Sequence, residues 1–264
     1  RHRAAPGEHR SQHLGGDGVS ICRPICRPIC RPICRPIQGR ITDPLRALIA
    51  QLYGNGEQGA MYIPQPKYLY QDAAGTVPVT TDGDPVGYMQ DLSGNGYHAT
   101  QATSADRPVY PGLAYNGVNN YIAAPIPASG MFDLMVAIRP AFEETNFIIA
   151  TGAERNRYIF AAQADSSAAV DNNSGSPVYL VNGVGVSSDR GVLRESVVNG
   201  EWALVEVQDI NVSSWGSVMM LSGYDSSGWR FLGDIGDIIF RETMSDDERV
   251  IAREALAAKY GITL

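Results

Sequence analysis

The chain of 264 residues has no apolar run approaching the roughly 20 residues that a bilayer-spanning helix needs, so a transmembrane helix is excluded. Its first 20 residues lack the apolar core of a secretory signal, which points to synthesis and folding in a cytosol. Charge is sparse at 19%, and 21 Lys and Arg against 28 Asp and Glu leave a net charge of −7. Nucleic-acid binding calls for concentrated positive charge, so that class is set aside. The positive charge that does occur gathers between Arg1 and Arg46, a basic arm on an acidic body. Histidine occurs 4 times, and His2, His9 and His13 precede residue 20 at no metal-ligand spacing. His98 is the remaining imidazole; with no serine motif or cysteine near it in sequence, a catalytic triad has no basis. Turn chemistry is plentiful instead. With 28 Gly, 16 Pro and 44% hydrophobic residues, the chain predicts many short elements around a sizeable core.

Residues 1–20 are polar and aperiodic, and are expected to be disordered or leader-like. Arg1 to Gly18 is read as upstream sequence or a processed leader ahead of a start near Val19. Residues 21–40 carry a four-residue repeat: Ile21-Cys22-Arg23-Pro24, Ile25-Cys26-Arg27-Pro28, Ile29-Cys30-Arg31-Pro32 and Ile33-Cys34-Arg35-Pro36, closing on Ile37. Proline at every fourth position forbids a regular helix and removes ladder donors from a sheet. An extended form puts Ile and Arg on one face and Cys and Pro on the other, at about 13 Å per repeat. Such a segment has to lie along something else or wrap with its own copies in an oligomer, for example as a trimer. Cysteines at that spacing exceed the Cα separation of about 7 Å that an intrachain disulfide tolerates. Two readings stand: four soft apolar side chains against a partner, or interchain disulfides in an oxidising exterior. A cytosolic origin favours the first.

Residues 41–61 predict a short amphipathic helix and a hinge. Asp43 suits the N-cap and Pro44 the first turn, with Gly54 as the stop. Leu45, Leu48, Ile49 and Leu52 make one apolar stripe, and the Gly54 to Gly59 stretch reads as the hinge. From residue 62 to 264 short strands alternate with turn clusters. Strands are expected at Tyr121 to Ile126, Leu134 to Arg139, Phe147 to Thr151, Arg157 to Gln163, Val178 to Val181, Trp202 to Ile210, Ser217 to Leu221 and Asp237 to Arg241. That spacing predicts an all-β sandwich. A closing helix is marked by a Ser245/Glu248 capping box and a Gly261 stop.

Several stretches share the wording of one family. They are Gln71-Asp72-Ala73-Ala74-Gly75-Thr76-Val77-Pro78-Val79, Asp84-Pro85-Val86-Gly87, and the loop DLSGNGYHATQAT from Asp91 with Arg107-Pro108. Asn116-Gly117-Val118-Asn119-Asn120, Gly233-Asp234-Ile235-Gly236-Asp237-Ile238 and the closing Leu256-Ala257-Ala258-Lys259-Tyr260-Gly261-Ile262-Thr263-Leu264 complete the set. Together they resemble the laminin-G-like, concanavalin-A-like jelly-roll domains of bacteriophage and prophage virion proteins. The Ile-x-Arg-Pro repeat is similar to that of small tail-tip-associated phage proteins. The resemblance implies a concanavalin-A-like jelly roll over residues 62–264 with a capping helix at its end. It also implies a virion location at the tail tip or baseplate, with the arm as tether and host-surface glycans as the ligand. A capsid decoration or head-fibre protein is the alternative, and a glycan hydrolase the second.

Where the family carries Asp-Gly-Val-Asp-Asp, this chain has Asn116-Gly117-Val118-Asn119-Asn120, which removes carboxylates that calcium would favour. Asp91 and Asn95 are the remaining candidate calcium ligands; the plainer reading makes them turn braces. No enzyme is expected. Glu206 and Asp209 lie three apart on one strand and should face opposite sides, and no strand carries the alternating acids of a glucanase. For sugar stacking, Trp215, Trp229, Tyr97 and Tyr224 are the candidate aromatic faces, whereas Trp202 reads as core.

Overall fold

The computed structural model describes residues 43–141, 145–151, 158–163, 175–213, 215–216, 218–221 and 231–264. The Ile-Cys-Arg-Pro arm, Trp229 and Tyr224 lie outside these. Along the chain run α1 (Pro44–Tyr53), β1 (Gly59–Tyr62), β2 (Leu69–Tyr70), β3 (Tyr88–Met89), β4 (Ala99–Thr100) and β5 (Leu113–Asn116). Next come β6 (Ile122–Pro125), β7 (Met131–Pro140), β8 (Thr145–Thr151), β9 (Tyr158–Gln163), β10 (Val178–Val181) and β11 (Val184–Val186). Then follow α2 (Arg190–Glu195), β12 (Ala203–Asn211), β13 (Val218–Leu221), β14 (Leu232–Glu242) and α3 (Asp246–Tyr260).

The strands form two antiparallel sheets. One orders them β1-β14-β7-β12-β10-β11, with β5 also paired to β14; the other runs β2-β3-β4-β6-β13-β8-β9. Alternation along each strand separates two layers of packing. Phe132, Leu134, Val136 and Ile138 of β7 point inward, with Ile235, Ile238 and Phe240 of β14 and Val205 and Val207 of β12. They meet Leu69, Met89, Ala99, Ile122, Ala124, Met219 and Leu221 from the second sheet. The opposite side of the first sheet offers Met61, Met135, Leu204 and Ile239 to Leu52 of α1 and Ala252 and Leu256 of α3. The result is a sandwich with both long helices on one outer face. Among the described residues no helix is long and apolar enough to cross a membrane.

The closing helix starts and ends on its sequence signals. Ser245 Oγ accepts from Glu248 N at 3.3 Å, Glu248 Oε2 accepts from Ser245 N at 2.8 Å, and Gly261 turns left-handed at φ 67. Asp43 caps α1 through Leu45 N at 3.1 Å. The Gly54 to Gly59 stretch is tied to its neighbours. Asn95 Nδ2 donates to the carbonyls of Glu57 and Gly59, and Gln58 N donates to Glu242 Oε2, so β1 is fastened at the edge of the first sheet.

Two expectations are corrected. Between Val207 and Ile210 the β12 register shifts by a bulge, with Asp209 at φ 60. The extra residue turns Asp209 to the same side as Glu206, toward α3. Trp202, read as core, stands half-buried just ahead of β12. Its ring lies 4.5 Å from that of Tyr260, with the Arg139 guanidinium 5.4 Å away.

Candidate ligand-binding face

The Asp91 loop is drawn together as a brace. Asp91 is 4% exposed, and its Oδ1 accepts from Met61 N and Ser93 N, each at 2.9 Å. Its Oδ2 accepts from Ser93 Oγ at 2.8 Å and Tyr97 N at 3.0 Å. A carboxylate so used is the hub of an Asx turn, and the structure thereby assigns Asp91 and Asn95 to holding β1 against the loop. Among the described residues no group of three or more His, Cys, Asp or Glu side chains has metal-holding geometry. Tyr97 belongs to the same brace. Its carbonyl accepts the Tyr62 hydroxyl, its ring packs against the inner core, and its own hydroxyl reaches Gln58 Oε1 at 3.3 Å. Burial first, then the charge of Asp91, pushes the Tyr62 phenol well above its ordinary pKa.

The other motif residues act in the same way. Asp72 accepts from Thr76 N and Val77 N at 2.8 Å and from Thr76 Oγ1 at 2.6 Å. The Thr76 hydroxyl bond, then the backbone N–H of Val77, draws its pKa from 3.8 down to about 2. Asn116 Oδ1 accepts from the amides of Val118, Asn119 and Asn120. Asn119 Nδ2 donates to Ala105 O at 2.7 Å and to Asp106 Oδ1 at 2.8 Å. An aspartate at 119 could not donate and would face the Asp106 carboxylate.

Four carboxylates of the first sheet face basic residues of α3, while Asp234 pairs with Arg139. Arg249 binds Asp133 at 2.9 Å and reaches Asp209 at 3.5 Å; Arg253 takes Glu206, and Lys259 takes Asp237 at 2.6 Å. Burial lifts the Asp237 pKa, against the pull of Lys259 and Tyr260. Glu206 and Asp209 therefore share a side, Glu206 buried against Arg253 beneath α3 and Asp209 half-exposed at the reach of Arg249.

Trp215, expected at an exposed turn, is 1% exposed and stacks on Phe240 at 6.2 Å inside the sandwich, so its ring is closed to a ligand. The aromatic surface lies elsewhere. On the second sheet Leu69, Met89, Ala99 and Ile122 point into the core, so Tyr70, Tyr88, Thr100 and Ala123 point outward. Register sets these four side by side: Tyr70 opposite Tyr88, Tyr88 opposite Thr100, and Thr100 opposite Ala123. The Tyr70 and Tyr88 rings meet edge to face at 5.5 Å, and His98 lies 5.2 Å from Tyr88. His98 Nδ1 accepts from Asp91 N at 3.0 Å, which leaves the proton of the neutral ring on Nε2. Gly75 allows the 72–76 turn to lie on the Tyr88 ring; a Cβ there would sit 3.5 Å from Cγ at φ +70. The sequence does not reveal this row, because two-residue strands give no visible alternation.

No family model matches the chain, and no curated protein matches it. One solved structure to which it is similar is the Trypanosoma rangeli sialidase in complex with 2,3-difluorosialic acid, a covalent intermediate, at 13% identity and a TM-score of 0.39. The match takes in 81% of this chain and 39% of that one, so this chain spans well under half the length of the sialidase.

Proposed function

We propose that the chain is a non-enzymatic structural protein of a bacteriophage particle, placed at the tail tip or baseplate. Residues 21–37 tether it, and the sandwich, read as a laminin-G-like, concanavalin-A-like jelly roll, turns outward to host-surface glycans. The observation that carries this reading is the use made of the acidic side chains. Glycosidic hydrolysis needs two carboxylates flanking one bond. Here Asp133, Glu206 and Asp237 lie beneath α3 in ion pairs, and Asp72, Asp84 and Asp91 are spent on turn amides. The row that the second sheet turns outward, Tyr70, Tyr88, Thr100 and Ala123, is aromatic and neutral, as suits recognition of a sugar.

The arm supports the tether role through its composition. A segment with proline at every fourth residue cannot build a core, so its regular Ile and Arg faces need an external surface. Removing Ile21 to Ile37 from the gene in an infective phage tests this. The expected result is particles that lack the subunit. Normal incorporation of the shortened chain would sink the tether.

A further inference from the structure

We infer that the outer row of the second sheet is a binding site for an uncharged pyranose, built from Tyr70, Tyr88, His98, Thr100 and Ala123. This rests on the glycan-attachment reading above and gives it a place on the molecule. Side chains facing one another across adjacent strands stand about 5 Å apart, close to the width of a pyranose ring. Along the row two large rings are followed by a hydroxyl and then a methyl group. The profile is therefore a step, with an aromatic wall at Tyr88 and a low floor at Thr100 and Ala123.

The chemistry of the step is that of a sugar. The C–H face of a pyranose packs on an aromatic ring, while its hydroxyls need donors and acceptors at the rim. His98 supplies a donor of fixed direction, because the Asp91 N–H holds Nδ1 as acceptor and leaves Nε2–H to donate. The Tyr70, Tyr88 and Thr100 hydroxyls make no hydrogen bond among the described residues and can both donate and accept. The row itself carries no carboxylate, ammonium or guanidinium, so the ligand it suits is neutral. The wall is held in place because the 72–76 turn rests on one part of the Tyr88 ring and is itself pinned by Asp72.

The test uses the full chain and methyl glycosides of glucose, galactose and N-acetylglucosamine, titrated by ligand-observed NMR. Tyr88→Ala removes the wall, and Thr100→Arg fills the floor at an exposed position where folding is undisturbed. At least one neutral glycoside should bind, with tenfold or greater weakening in both variants. If the wild-type chain binds and Thr100→Arg binds within twofold of it, the site is elsewhere and only this inference falls. If the wild-type chain binds none of these glycosides or any spot of a glycan array, the attachment reading falls with it.

Discussion

Arg253 grips Glu206 through two parallel contacts, Nε to Oε2 at 2.8 Å and Nη2 to Oε1 at 3.0 Å, with the carboxylate 1% exposed. Truncating Arg253 to Ala strands a buried charge, which costs about 3–5 kcal/mol. Replacing the pair together, Glu206→Leu with Arg253→Met, removes both charges and should recover most of that loss. Urea unfolding of the two variants beside wild type makes the comparison. Equal loss in both would mean that the ion pair itself holds α3 to the sheet and that apolar contact cannot replace it.

Gly236 is the seat of Tyr260. A Cβ at 236 would meet the Tyr260 hydroxyl and stand 2.5 Å from Cζ. That ring has little room to yield: its hydroxyl donates to Asp237 Oδ1 at 2.8 Å and accepts from Asp237 N at 2.7 Å, and Trp202 lies at 4.5 Å. Gly236→Ala should therefore cost ~1–3 kcal/mol, the usual range for overpacking. Thermal unfolding of Gly236→Ala in a Tyr260→Ala background should show a smaller penalty, as the clash partner is then removed.

Asn119 distinguishes this chain from the aspartate wording that its motif resembles. Its amide donates to Ala105 O and Asp106 Oδ1, neither of which an aspartate can satisfy. Asn119→Asp should destabilise by about 1–2 kcal/mol, with the loss greatest at neutral pH and low salt, where the new charge faces Asp106. Unfolding midpoints measured at low and high salt check this.

The turn carboxylates set an acid limit. Asp72 falls from 3.8 to about 2 on folding, so its contribution is fully present above 3.8 and is lost as pH drops toward 2. Asp84 is shifted the same way by the amides of Thr80 and Thr81. Asp237 is shifted oppositely, so its contribution is largest in acid and is lost as pH rises through its raised folded pKa. Melting curves between pH 5 and 2 should fall less steeply for Asp72→Asn than for wild type, because the amide keeps an acceptor without titrating.

What could be read from sequence followed from signals that are local. The α3 capping box and its Gly261 stop involve neighbours only, and β10 keeps the limits Val178 to Val181 because the Asn182-Gly183 turn closes it. Strand β14 begins five residues earlier than its apolar core suggests, since Gly233 and Gly236 resemble turn residues. In the fold they are close-approach positions; a Cβ at 233 would meet the Arg139 carbonyl and lie 2.9 Å from the Pro140 Cα. The shared side of Glu206 and Asp209 depends on a bulge that no spacing rule reveals. Serine and glycine around Trp215 imply exposure, yet its ring turns inward onto Phe240. The outer row needed register, since Tyr70, Tyr88, Thr100 and Ala123 come from four separate strands and meet only across the sheet.

The central claim is attachment without catalysis. It is tested most directly by incubating the full chain with neutral oligosaccharides at neutral pH and weighing both bound and free sugar by mass spectrometry. The account predicts sugar retained on the protein with its mass unchanged over hours. Shortened fragments that accumulate with time would contradict it.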